Sequence, residues 1–114
     1  MTTLYHLAER ADWDDARAAG SYQVSTRGVT LAEQGFIHTS LRHEVQGIAD
    51  VVFAGVDGVV LLVIDSDRLT VPVRYEPGQP GGEDYPHIYG PLPVDAVTDA
   101  VPLTRGPDGR LRLP

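Results

Sequence analysis

The chain has 114 residues, 42% hydrophobic and 22% charged, with a formal net charge of −7 and no cysteine. That length supports one domain with one core. The missing cysteine excludes a disulfide framework, cysteine-ligated zinc and a thiol nucleophile. All nine basic residues are Arg, so Schiff-base chemistry on a lysine amine is excluded. The acidic field opposes nucleic-acid phosphates and anionic lipid surfaces.

The opening, MTTLYHLAERADWDD, has no basic segment leading into an apolar one and does not read as a signal peptide. The longest apolar run, 59–64, is too short to span a bilayer. A cytoplasmic protein without membrane or nucleic-acid partners is expected. Residues 2–8 alternate as a strand, with Leu4, His6 and Ala8 on one face and Tyr5 and Leu7 on the other. Asp12 reads as the N-cap of a short helix that carries Trp13 and Ala16 and closes at Gly20. Residues 30–34 make one more helical turn, closed by Gly35, and 36–38 form a very short extended segment.

A helix over about 41–53 follows, because Leu41, Val45, Ile48, Ala49 and Val52 recur on one stripe. Thr39 or Ser40 is its expected N-cap. GVVLLVID, 58–65, reads as a strand buried on both faces. Residues 71–75 alternate, and Pro72 marks an edge strand or a bulge. Residues 76–86, rich in Pro and Gly, are expected to be a mobile loop. Residues 87–92 are extended, 93–96 turn, 97–103 form a strand, and 104–114 make a hairpin or tail turning at PDG. Helices lie mainly in the first half and strands in the second, an α+β pattern with no G-x-G-x-x-G or P-loop signature.

Three histidines sit in motifs: His6 in LYHLAE, His38 in QGFIHTS and His87 in YPHIYGPLP. His6 lies on an apolar strand face, which suits either a satisfied core imidazole or a ring that bonds a ligand hydroxyl. His38 precedes Thr39, Ser40 and a helix start, where free N–H groups and hydroxyls would hold an anion or a sugar. Simple capping explains the same residues. His87 and Tyr89 share a strand face between Pro86 and Pro91, a rigid platform for a ligand or a plain turn. Glu76 ends a strand at the lip of the loop, placed to act as acid or base or to orient a hydroxyl. Glu83 is expected to be solvated, and His43 to be exposed and inert. The histidine spacing matches no metal-ligand signature, so no metal is expected. G-x-S-x-G is absent too, which excludes a hydrolase nucleophile elbow.

YHL, then Trp13, Ala16, Gly20 and Tyr22, then GFIHTS, VVLLVID, VRYE, PHIYGPLP and DAV occur in fixed order over residues 4–103. In this the chain resembles the bacterial domain-of-unknown-function family 952, which is grouped with the ADP-ribosyltransferase fold. The resemblance implies a compact single domain over 1–114, with two small, mainly antiparallel sheets around a cleft and two or three short helices. It implies NAD or a related nucleotide as ligand. His6 would contact a ribose hydroxyl, His38, Thr39 and Ser40 would line the cleft, His87 or Tyr89 would flank the nicotinamide, and Glu76 would be the acid/base with His38. The alternatives are a non-catalytic module binding a nucleotide or small metabolite, and an interaction domain whose motifs only build the core. Neither the acceptor nor the oligomeric state is legible.

Overall fold

A computed structural model describes residues 2–78 and 80–114. Strand β1 (Thr3–Glu9) leads directly into helix α1 (Arg10–Ala19). Short strands β2 (Ser21–Tyr22), β3 (Val24–Thr26) and β4 (Val29–Thr30) precede the helical turn α2 (Leu31–Gln34). Strand β5 (Ile37–His38) and helix α3 (Arg42–Val51) follow, then the long strand β6 (Val59–Asp65). The second half holds β7 (Val73–Pro77), β8 (Asp84–Ile88), β9 (Leu92–Pro93), β10 (Val97–Pro102), β11 (Thr104–Arg105) and β12 (Leu111–Arg112).

Two three-stranded antiparallel sheets organise the molecule, β1-β6-β10 and β5-β8-β7. Three two-stranded ribbons, β2-β9, β3-β4 and β11-β12, complete it. The architecture is therefore α+β, as expected, but with more small sheets than the two anticipated. The radius of gyration is 13.2 Å, close to the ~13 Å of one compact domain of this length.

The continuous apolar run of β6 has a direct cause. It is the central strand of its sheet, and both faces are covered. Val60, Leu62 and Ile64 join Leu4, Ala8, Trp13, Tyr22, Ile37 and Ile88 in one core cluster. Val59 and Leu61 face the other way, into a second cluster with Leu7, Val45, Ala49, Phe53 and Leu111. Helix α3 therefore uses the expected stripe, and Leu111 ties the C-terminal hairpin into the core instead of leaving it a tail.

Several local expectations need correction. Helix α1 starts at Arg10, not after Asp12. Its entry is set by β1, which runs without a break to Glu9, and by the Arg10 amide, which donates to the Gly58 carbonyl at 2.8 Å. Asp12 lies in the first turn, and its partial burial raises the carboxyl above its ordinary range, helped by Glu9 and Asp15. Gly20 does close the helix, at φ 92°, a left-handed conformation that costs glycine little. The proposed mobile loop is largely strand: Glu76 and Pro77 end β7, and Asp84 to Pro86 begin β8. Cross-strand pairing down to Pro77↔Asp84 overrides the proline and glycine signals. Edge strand β7 agrees with the reading of Pro72. Gly90 in the YGPLP motif has a steric reason, since a Cβ there would lie 2.5 Å from Val71 Cγ1.

Candidate functional site

One edge of β1 pairs with β6, and its other edge bridges to Ser40 at Tyr5. A cleft of about 810 Å³ includes this edge, lined from β1 by Tyr5, His6 and Leu7. Helix α3 supplies an apolar wall, with Ile48, Val51 and Val52 along it. Thr26 and Arg27 come from the β3–β4 turn, and Glu83 and Tyr85 from the β7–β8 hairpin. His38, Thr39 and Ser40 complete the lining. Four of the expected residues, His6, His38, Thr39 and Ser40, thus share one cleft. Glu76, His87 and Tyr89 are not among the lining residues and form a second group that touches the first through His38.

His6 is a satisfied core histidine. Its Nδ1 lies 2.5 Å from the His38 carbonyl and its Nε2 lies 2.8 Å from Tyr22 Oη. A carbonyl only accepts, so Nδ1 carries the hydrogen and Nε2 accepts from the tyrosine. Burial, opposed by the His38 carbonyl, pushes the ring down to about 4. Tyr22 is raised by its own burial, with Asp12 and Glu9 adding to the effect. One neutral ring therefore joins β1, β2 and β5.

The start of α3 differs from expectation. Thr39 and Ser40 do not cap it. The Thr39 amide and hydroxyl both donate to the Pro86 carbonyl, at 3.1 and 2.6 Å, and the Ser40 amide donates to the Tyr5 carbonyl at 2.8 Å. The N-cap is Leu41, whose amide donates to Glu44 Oε1 at 2.8 Å. Buried Glu44 thus puts a carboxylate at the helix start, where an anion was expected. Ser40 Oγ makes no hydrogen bond among the described residues and remains available to the cleft.

The second group surrounds Glu76. Its carboxylate accepts from His87 Nδ1 at 3.0 Å and, through a short bond, from the Tyr89 hydroxyl. These bonds, Tyr89 first and His87 second, hold the Glu76 carboxyl below its ordinary range, and the same contact raises Tyr89. Arg74 stacks over the Tyr89 ring, 4.7 Å from its centroid. Phe36 stacks on His87 at 4.1 Å, and His38 meets His87 edge-on at 5.1 Å. Burial lowers His38 below the ordinary imidazole value, and His87 adds a repulsive contribution. His87 Nε2 is buried without a partner among the described residues.

His43 is exposed, as expected, but it has company that the spacing did not announce. One ligand atom each from His43, Glu44 and Glu83 lie within 4.8 Å of one another. These are the residues that could hold a cation. Glu44 already serves the helix start, and exposed acidic groups commonly cluster with no ion. Glu83 comes from the hairpin, so no sequence spacing relates it to α3. Among the described residues, no helix is long and apolar enough to cross a membrane.

The solved structures include close relatives. The crystal structure of protein CC0527 from Caulobacter crescentus is 34% identical, with a TM-score of 0.84, over 98% of this chain and 95% of that one. A double mutant of the same protein, in a second crystal structure, is 33% identical with a TM-score of 0.84. Its solution NMR structure is 34% identical with a TM-score of 0.82, over 99% of this chain and 94% of that one. No curated protein matches the chain. The family pattern described as a protein of unknown function, DUF952, matches residues 7–100, and to that family this chain belongs.

Proposed function

We propose that this domain binds a nucleotide-like small molecule, NAD or a close relative, in the cleft beside β1. The observation that carries the reading is the composition of that cleft. An apolar wall of Tyr5, Ile48, Val51 and Val52 suits a planar ring, while Arg27, Ser40 and His38 supply polar partners for a sugar and a phosphate. Its size, about 810 Å³, is within the range of small-molecule sites. Among the described residues Arg27 makes a long, exposed contact with Glu9, at 3.6 Å, weak enough to yield to an anion. Thermal unfolding with NAD, ADP-ribose and nicotinamide mononucleotide tests the reading. A ligand at a hundred times its Kd should stabilise the fold by about 2.7 kcal/mol, a rise of several degrees. Arg27→Ala should diminish that rise. An unchanged Tm across the panel would sink the proposal.

ADP-ribosyl transfer in the same cleft is a second reading, favoured by one observation. Glu83 is the single carboxylate among the lining residues. Positive charge builds on the ribose as nicotinamide departs, and a carboxylate stabilises it. Glu76, the carboxylate expected from the sequence, is instead engaged by His87 and Tyr89. Release of nicotinamide from NAD should be abolished by Glu83→Gln and only weakened by Glu76→Gln. Absence of release from the wild type leaves the domain a binding module.

A further inference from the structure

The β7–β8 hairpin brings Glu83 to the first turn of α3, where His43 and Glu44 are neighbours in sequence. One ligand atom from each of the three, an imidazole nitrogen and two carboxylate oxygens, lies within 4.8 Å of the other two. Glu44 sets this trio apart from an ordinary cluster of surface acids. It is 8% exposed, and a buried carboxylate needs an ion-pair partner or a metal to offset its lost hydration. Among the described residues no basic side chain pairs with Glu44 or with Glu83. Arg42, the cation nearest in sequence, donates to the Pro114 carbonyl instead. Glu44 Oε1 accepts from the Leu41 amide at 2.8 Å, and Oε2 has no hydrogen-bond partner among the described residues. A helix start by itself repels a cation, but the Glu44 carboxylate reverses that local field.

We propose that His43, Glu44 and Glu83 form a binding site for a divalent transition cation of the zinc type, at the rim of the cleft that Glu83 also lines. Two carboxylates beside a neutral imidazole balance the charge of such an ion. Mixed nitrogen and oxygen donors favour it over magnesium or calcium, which take oxygen ligands. Tetrahedral zinc holds its donors about 3.4 Å apart. His43 and Glu83 are exposed and have the rotamer freedom to close that distance, while buried Glu44 is the fixed point. Three protein ligands leave the fourth position to water or to an oxygen of a molecule in the cleft. The ion offsets the buried charge of Glu44 and pins the hairpin to α3. The site does not depend on the nucleotide reading. A metal-bound Glu83 is withdrawn from any ribose, so zinc and ADP-ribosyl transfer compete for that carboxylate.

Calorimetric titration with zinc chloride tests the site, with no nucleotide present. The full chain is first stripped with a chelator, and excess magnesium screens nonspecific attraction to the acidic surface. One equivalent of zinc should bind. His43→Ala and Glu83→Gln alter exposed side chains and should leave the fold intact. Each should weaken zinc by at least about tenfold, since even an outer-shell partner is worth that much. Glu44→Gln keeps an oxygen for the Leu41 amide but loses the charge, and should weaken zinc to a similar extent. Spectra of 15N-histidine protein give a second readout: zinc should shift the His43 ring nitrogens and leave those of His6 and His87 in place. No saturable binding by the wild type overturns the proposal. So does binding that His43→Ala removes and Glu83→Gln leaves unchanged, the mark of zinc on a lone surface histidine. Zinc shifts at His38 in place of His43 would overturn it as well.

Discussion

His6 and His87 are buried alike, 3% and 2% exposed, yet they use their rings in opposite ways. His6 spends both nitrogens, on the His38 carbonyl and the Tyr22 hydroxyl, and links three strands. His87 spends one, on Glu76, and leaves the other without a partner among the described residues. A folded chain rarely leaves a buried polar atom unpaired, because the desolvation cost is not recovered. The contrast separates a histidine that holds the fold from one that the fold holds ready. Burial alone does not distinguish them; hydrogen-bond satisfaction does.

The largest effect should come from breaking the satisfied ring. His6→Ala strands two buried polar groups and opens a void, at a cost of about 4 kcal/mol in urea unfolding. A loss below about 1 kcal/mol would remove His6 as the link between the sheets. Acid should sharpen the same contrast. His6 is held near 4 in the fold against an ordinary 6.5, so between those values the unfolded chain takes up a proton that the folded chain refuses. Stability therefore falls as pH drops from 6.5 to about 4, by about 3 kcal/mol from this residue. His6→Gln should flatten that slope in Tm against pH, and an unchanged slope would assign the acid sensitivity elsewhere.

At the other ring the expected cost is smaller. His87→Phe gives up one hydrogen bond but removes an unpaired nitrogen, so unfolding should shift by no more than about 1 kcal/mol. A penalty as large as that of His6→Ala would make the two regions equivalent and dissolve the comparison. Smallest of all should be the Asp50–Arg110 pair, 2.7 Å apart on the surface. Asp50→Asn should cost at most about 0.5 kcal/mol, and added salt should reduce the difference.

Much of the local structure was legible. The seven residues of β6 read correctly as buried on both faces, and Gly20 and Gly35 read correctly as helix ends. The PDG turn and the α3 stripe were equally plain. Errors arose where a distant partner outweighed a local signal. Thr39 looks like a helix cap, but its hydroxyl is taken by Pro86, 47 residues away. Glu76 to Pro86 has loop composition, but the register of β7 with β8 makes much of it strand. At the candidate site, His6 of LYHLAE and His38 of QGFIHTS line one cleft, while Glu76 and His87 bond each other outside its lining.

By itself the sequence determined the α+β character, the strand–helix units around β1 and β6, and membership of its family, because periodicity, capping glycines and ordered motifs are local properties. Only the tertiary structure decided which histidine is satisfied, which carboxylate reaches the cleft and that Glu44 occupies the start of α3. Those outcomes depend on register and on hydrogen bonds between residues dozens of positions apart. Residue type alone does not encode such pairings; they exist once the sheets have closed around the core.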